Sequence, residues 1–285
     1  MDTYRPGSRQ VQQRLGLTEV ADHVGRSIGS GIKPVAAAFL ESQPMLIVAA
    51  ADGTGRVWSS LLTGPAGFVR ATGPASVSVL GGPPAGDPLA EVLAREGTAV
   101  GTLALDPRTR RRMRLNGTAR PTPRGITVEA RRVFANCPKY IRRRDLVNPA
   151  TCREEAPSGA RRSATLTRDQ QTFVSAADTF FVATVSTDGA EVSHRGGDAG
   201  FVRAESPREI VWPDYAGNAM FLTLGNLVTD SRAGLLFLDW TTGRTLQVTG
   251  TARVDFTEDG ARSVRFTVGA VLDSPRATGL RWEEA

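Results

Sequence analysis

Ser193-His194-Arg195 sets a hydroxyl, a titratable ring and a permanent cation on three successive residues. An imidazole changes charge near neutral pH, and a guanidinium presents a planar fork of donors that fits a phosphate or a carboxylate. A little further on, Trp212-Pro213-Asp214-Tyr215-Ala216-Gly217-Asn218 is dense in aromatic and hydrogen-bonding groups. The two stretches have the means to hold a planar anion. Arg195 and the amides of a helix starting at Gly217-Asn218 would take the charge, and Trp212, Tyr215 and the backbone of residues 192–194 would wall a flat slot. The plainer alternative makes His194 and Arg195 surface residues of an edge strand.

A second group is Asn136-Cys137-Pro138-Lys139-Tyr140-Ile141. Lys139 and Tyr140 could serve a bound group, or Cys137-Pro138 could form a buried turn that leaves Lys139 in water. Cys137 is less favoured as a nucleophile, because only His194 could act as its base. With Cys137 and Cys152 the only cysteines and His23 and His194 the only histidines, neither a disulfide framework nor a metal site is expected.

The elements that must position these groups occur twice. Ala66-Gly67-Phe68-Val69-Arg70-Ala71 recurs as Ala199-Gly200-Phe201-Val202-Arg203-Ala204, at an offset of 133 residues. The same offset carries Gly101, Leu103, Leu105 and Asp106 onto Gly234, Leu236, Leu238 and Asp239, and Gly117-Thr118-Ala119 onto Gly250-Thr251-Ala252. Two copies of one fold are therefore fused, at residues 31–155 and 164–285, after an arm of residues 1–30 that wraps without building a core. Residues 156–163, with Pro157, Ser158 and Gly159, read as the linker. In the second copy Thr167-Arg168-Asp169-Gln170 is a capping box opening a helix that ends before Asp178. Strands are expected at 180–185, 191–195, 200–204, 209–212, 233–239 and 245–256, with a helix at 219–228. The first copy echoes this with helices at 32–41 and after Asp87-Pro88 and a strand at 45–51. Each copy is thus mainly β with short helices, a small barrel of five or six antiparallel strands.

Residues shared by both copies, such as Asp106 and Asp239 or Arg70 and Arg203, have structural work to do. Chemistry belongs where the copies differ, and Ser60-Leu61-Leu62 of the first has become Ser193-His194-Arg195 in the second. The demands of a flavin mononucleotide match: an anion clamp from Arg195 and Gly217-Asn218, and a slot walled by Trp212 and Tyr215.

A net charge of +6 raises the question of nucleic acid, yet of the 35 Lys and Arg residues only Lys33 and Lys139 are lysine. The arginines form short clusters (110–112 with 114, 142–144, 161–162) without interleaved aromatics, so a nucleic-acid partner is not expected. No stretch is apolar enough for a membrane span or signal core, and a cytoplasmic protein is expected.

Val192-Ser193-His194-Arg195-Gly196-Gly197, Gly200-Phe201-Val202, residues 212–218, Thr223-Leu224-Gly225-Asn226-Leu227, residues 234–239 and the 136–141 segment together resemble the long, duplicated branch of the pyridoxamine 5′-phosphate oxidase-like proteins. The resemblance covers most of the chain. It implies a flavin-binding split barrel, a homodimer with flavin mononucleotide (FMN) at its interface, and an oxidoreductase acting on a small molecule. Relatives also include users of deazaflavin and heme, so a non-catalytic flavin- or heme-binding protein, or a heme enzyme with His194 as axial ligand, are the alternatives. The implied cofactor residues are Cys137, Lys139, Ser193, His194, Arg195, Trp212, Asp214, Tyr215, Gly217 and Asn218. His194 and Tyr140 would be the catalytic groups, with Lys139 and Tyr140 near flavin N1 or O2. The Arg-x-x-Leu-Leu-Lys pattern of the pyridoxamine phosphate oxidases themselves is absent, so vitamin B6 is not implied as substrate.

Overall fold

The computed structural model describes residues 3–135, 137–147, 159–258 and 260–285; Asn136, Cys152 and the linker residues 156–158 lie outside the described residues. The amino-terminal arm carries two helices, α1 (Pro6–Arg14) and α2 (Thr18–Gly25). It is not the coreless wrap expected from its glycines. Tyr4 and Ala21 are buried together with Phe134 of the first repeat and Ala219, Met220 and Leu222 of the second, which ties the arm to both.

The first repeat runs α3 (Pro34–Glu41), β1 (Met45–Ala51), β2 (Val57–Thr63), β3 (Val69–Gly73), β4 (Ser76–Leu80), α4 (Ala90–Leu93), β5 (Thr98–Asp106), β6 (Arg111–Thr122), β7 (Gly125–Ala135) and β8 (Arg144–Leu146). The second runs β9 (Arg161–Ser163), α5 (Arg168–Ala176), β10 (Thr179–Ser186), β11 (Gly189–Gly196), β12 (Arg203–Ser206), β13 (Glu209–Pro213), α6 (Leu222–Thr229), β14 (Arg232–Leu238), β15 (Thr245–Phe256), β16 (Arg262–Ser274) and β17 (Trp282–Glu284). The capping box opens α5 as expected, with Thr167 Oγ1 accepting from Gln170 N and Gln170 Oε1 from Thr167 N.

The strand orders β2-β1-β5-β6-β7-β4-β3 and β11-β10-β14-β15-β16-β13-β12 are the same order with each strand replaced by its counterpart. Cross-strand register fixes the equivalence residue by residue. Ile47 pairs with Leu61 and Leu103, and Phe181 pairs with His194 and Leu236, so Leu61 and His194 hold one place in the two repeats. Each sheet has seven strands on this path, more than the five or six expected. The missed strands include β16, although Val264, Phe266 and Val268 alternate along it at the strand period.

Each sheet curls round its own core, Trp58, Phe68 and Leu93 in the first and Phe180, Trp212, Phe237 and Phe266 in the second. A third apolar cluster joins them, with Ile47, Ala49 and Leu103 packed among Phe181, Ala183, Val192 and Leu236. This explains why β1 and the Phe180 to Ala183 stretch of β10 read as apolar runs: both faces are buried, one in a barrel and one between barrels. The contact is reciprocal. A side chain on Gly101 of β5 would lie 2.5 Å from the Cα of Glu191 on β11, and one on Gly234 of β14 would lie 3.1 Å from the Cα of Trp58 on β2. Shifting either contact by the repeat offset generates the other, as in a two-fold dimer, but within one chain. Among the described residues no helix is long and apolar enough to cross a membrane.

A branched side chain at this seam has nowhere to go. Gly101→Val should lower the stability measured by urea unfolding by about 1–3 kcal/mol or more. Gly82→Ala, whose added methyl meets nothing within 4 Å, should change it little. Equal effects would show that the barrels do not approach this closely.

Candidate functional site

Where β11 passes the first repeat, a cleft of about 120 Å³ opens between the two barrels. The second repeat contributes Ser193, His194 and Arg195 from β11 and the loop leading into α6. The first contributes Arg112 and Arg114 from β6 and Cys137, Lys139 and Tyr140 from the segment after β7. That segment can lie on β11 because residue 196 is glycine; a side chain there would collide with the Tyr140 carbonyl oxygen at 2.0 Å. Tyr140 (φ 64°), Ala219 (φ 57°) and Phe221 (φ 50°) are non-glycine residues held at positive φ, and all three line the cleft. Such strain persists only where surrounding structure enforces it, and it gathers at functional sites.

The cleft is strongly cationic. Arg112 has no carboxylate partner among the described residues; its guanidinium donates instead to His194 Nδ1 at 2.8 Å. Burial, reinforced by Arg195 and Arg114, lowers the Arg112 pKa to about 10. Arg114 is likewise lowered to about 10 by burial, although Glu191 Oε2 lies 3.2 Å from its Nη2 and opposes the shift. Glu191 also faces Arg5 at 3.2 Å and Arg132 at 3.6 Å, so it joins the arm, the first repeat and β11 at one buried carboxylate. Arg195 pairs with Asp214 at 3.2 Å, and Asp214 is shared with Arg262 at 3.1 Å. The buried Nε of Arg195 remains without a partner.

His194 is buried among these cations. Desolvation, then the charges of Arg112, Arg195 and Arg144, pushes its pKa well below the ordinary 6.5, so the ring is neutral at pH 7. A guanidinium can only donate, so Nδ1 must accept and the proton sits on Nε2, which has no partner. The expectation that His194 titrates near neutrality is thus corrected: burial among cations leaves it a hydrogen-bond donor rather than an ionising acid. The same tautomer leaves Nε2 no lone pair for an axial bond to iron.

One end of the cleft is the amino terminus of α6. Residues 222–224 line it, and no side chain caps the helix. Four backbone N–H groups and the positive end of the dipole are therefore available to an anion. The helix begins at Leu222, later than the expected 219, so Gly217-Asn218 is not its start; Asn218 Oδ1 accepts from Met220 N at 3.2 Å in the preceding loop. Ser193 touches the first turn, its hydroxyl 2.9 Å from that of Thr223. At the mouth, Tyr140 and Tyr215 stack with centroids 5.2 Å apart, and the Tyr140 hydroxyl donates to the Ala216 carbonyl at 3.2 Å.

Of the residues singled out from sequence, Cys137, Lys139, Tyr140, Ser193, His194, Arg195, Asp214, Tyr215, Gly217 and Asn218 all line this cleft. Trp212 does not. It faces the second core, edge-on to Phe180 at 5.3 Å, and is 1% exposed, because along β13 the side chain neighbouring Pro213 points inward. Sequence reasoning missed Arg112 and Arg114, which it had placed in an arginine cluster. Their counterparts at the repeat offset, Thr245 and Gln247, are uncharged, so the comparison that exposed His194 would have exposed them.

In the equivalent place of the other barrel the polar groups satisfy one another. Gln247, which faces Leu236 as Arg114 faces Leu103, donates to Ser60 Oγ at 3.0 Å and to Asp87 Oδ2 at 3.1 Å. Asp87 accepts from Ser60 Oγ at 2.7 Å and from Leu89 N at 2.8 Å, and burial raises its pKa. A carboxylate thus occupies the position that an anion would take in the open cleft.

Residues 166–271 match the family model described as pyridoxamine 5′-phosphate oxidase. The match lies within the second repeat. The matched stretch runs from α5 into β16, and the first repeat duplicates its strand order. Similar solved structures include a histidine-to-alanine variant of HupZ from Group A Streptococcus, 11% identical over 38% of this chain and 98% of its own, with a TM-score of 0.31. Another is a candidate pyridoxamine 5′-phosphate oxidase from Lactobacillus delbrueckii, 21% identical over 38% of this chain and 93% of its own, with a TM-score of 0.30. A third is a protein related to general stress protein 26 from Clostridium acetobutylicum, 9% identical over 41% of this chain and 92% of its own, with a TM-score of 0.30. No curated protein sequence matches significantly.

The buried neutral ring has a measurable cost. As pH falls through about 6.5 the unfolded chain protonates His194 and the folded chain does not, so the unfolded state binds more protons and stability drops. Between about pH 7.5 and 5.5 this should remove up to about 1.4 kcal/mol of unfolding free energy from the wild type but not from His194→Gln. Parallel pH profiles would contradict a neutral buried ring.

Proposed function

We propose that the cleft holds the phosphate of a flavin mononucleotide and that the chain is a flavin-dependent oxidoreductase acting on a small molecule. The observation that carries this reading is the convergence of Arg112, without a carboxylate, Arg195, with an orphan Nε, and the uncapped start of α6. A dianionic phosphate supplies the acceptors that all three lack. The residues therefore fit the anionic end of the group. At about 120 Å³ the cleft is smaller than the roughly 300 Å³ at which ligand pockets begin, so the ring needs more room. A recess of about 290 Å³ shares Tyr140 and Tyr215 with the cleft as walls, and both rings are exposed.

Once bound, a flavin would supply hydride or electron transfer. The chain's own groups would then bind and orient. Arg112 and Arg195 neutralise the phosphate, the Nε2–H of His194 is a neutral donor, and Lys139 is a cation without an ion pair among the described residues. Tyr140 and Tyr215 offer aromatic faces to a planar ring. Because both repeats contribute walls, a second subunit is not needed to complete the cleft. A heme enzyme with His194 as axial ligand is the weaker reading, since the Arg112 contact leaves the free nitrogen protonated.

Purified protein reconstituted with FMN should show the two-banded visible spectrum of an oxidised flavin rather than a Soret band. Arg112→Ala and Arg195→Ala should each weaken FMN binding by about 10- to 100-fold, with circular dichroism unchanged. Wild-type affinity in both variants would remove the phosphate from this cleft.

A further inference from the structure

Arg111 and Arg244 are counterparts, since Leu105 pairs with Arg112 as Leu238 pairs with Thr245. In the second repeat Arg244 is fully satisfied: its guanidinium lies 2.7 Å from Asp169 and 2.7 Å from Asp273, and over the ring of Phe173 at 4.8 Å. The first repeat keeps the arginine and the ring, because Phe39 is the sixth residue of α3 as Phe173 is of α5. Both carboxylates are gone. Val35 takes the second position of α3 that Asp169 takes in α5, and Ala135 faces Met113 across the ladder where Asp273 faces Leu246.

Arg111, Phe39, Val35 and Ala135 line a groove of about 780 Å³, within the size range of small-molecule sites. Val35 is 71% exposed there. Arg26, Lys33, Arg110 and Arg112 add positive charge, and the lining contains no Asp or Glu. Arg110 is held at φ 54° where the second repeat has Gly243 at φ 73°, so a strained turn position has been given a cation in this copy alone. The far wall is fixed in advance: Gly29 and Val133 exchange both backbone hydrogen bonds, at 3.0 and 2.6 Å, and Ile32 N donates to Pro74 O at 2.7 Å.

We propose that this groove binds an organic carboxylate with an apolar body. The ligand's carboxylate takes the place beside Arg111 that Asp169 and Asp273 fill in the second repeat, and its apolar part lies on Val35, Phe39 and Ala135. A cation stripped of its internal counter-ions and bordered by new apolar surface is complementary to such a molecule. The inference stands on the comparison between repeats and not on the flavin reading, although Arg112 lines both the groove and the cleft.

Titration calorimetry of the full chain with decanoate, against decanol as its uncharged counterpart, tests this. Decanoate should bind about tenfold or more tightly than decanol, and Arg111→Met should remove that difference. Ala135→Asp, which restores an internal counter-ion, should abolish decanoate binding without lowering the thermal midpoint. Absence of decanoate binding, equal affinities for the two probes, or undiminished decanoate binding in either variant would overturn the proposal.

Discussion

The close approach of the two barrels, Gly101 against β11 and Gly234 against β2, is the constraint on which the rest of the structure depends. Strands can come this near only where one of them has no side chain, and the duplicated glycine provides that on both sides of the seam. The apolar cluster between the barrels follows from it. So does the burial of β11 beside the first repeat, which takes His194 out of water and leaves Arg112 and Arg114 facing groups of the other barrel. A chain that duplicated its fold without this seam would have put the same residues on an open surface, where a guanidinium prefers water and a histidine titrates normally.

An approximate two-fold arrangement offers two equivalent clefts, and the residues at the repeat offset give them opposite fates. On one side His194, Arg195, Arg112 and Arg114 keep the space open and positive, and α6 arrives without a cap. On the other Leu61, Leu62, Thr245 and Gln247 stand in the same places, and Asp87 accepts from Ser60, Gln247 and the Leu89 amide. A single chain can specialise its two sites in this way, which two identical subunits cannot. The groove at Arg111 repeats the pattern in mirror fashion, because there the second repeat is self-satisfied and the first is left incomplete.

Much of this was legible in the sequence because duplication supplies its own control. The shared hexapeptide set the offset, and the exchange of Leu61-Leu62 for His194-Arg195 marked a strand that lines the cleft. Local rules served where local interactions decide: the Thr167 capping box opens α5 where it was expected. They failed where long-range packing decides. Trp212 lies beside the site in sequence but faces the core, because alternation along β13 turns it inward. The start of α6 moved to Leu222 because the preceding loop is strained into shape by contacts with Tyr140 and the arm, and no capping residue marks it. Nothing in the residue types alone showed that the first repeat would reach across to furnish Arg112 and Arg114. The neutral state of His194 likewise arises from neighbours distant in sequence.

The most direct measurement is the flavin stoichiometry of the chain by native mass spectrometry after reconstitution with FMN. One flavin per chain, carried by the monomeric species, is the predicted result, since both repeats wall the open cleft and its counterpart carries the Asp87 carboxyl in place of an arginine pair. Two flavins per chain, or flavin retained only by a dimeric species, would contradict a single site built between the repeats.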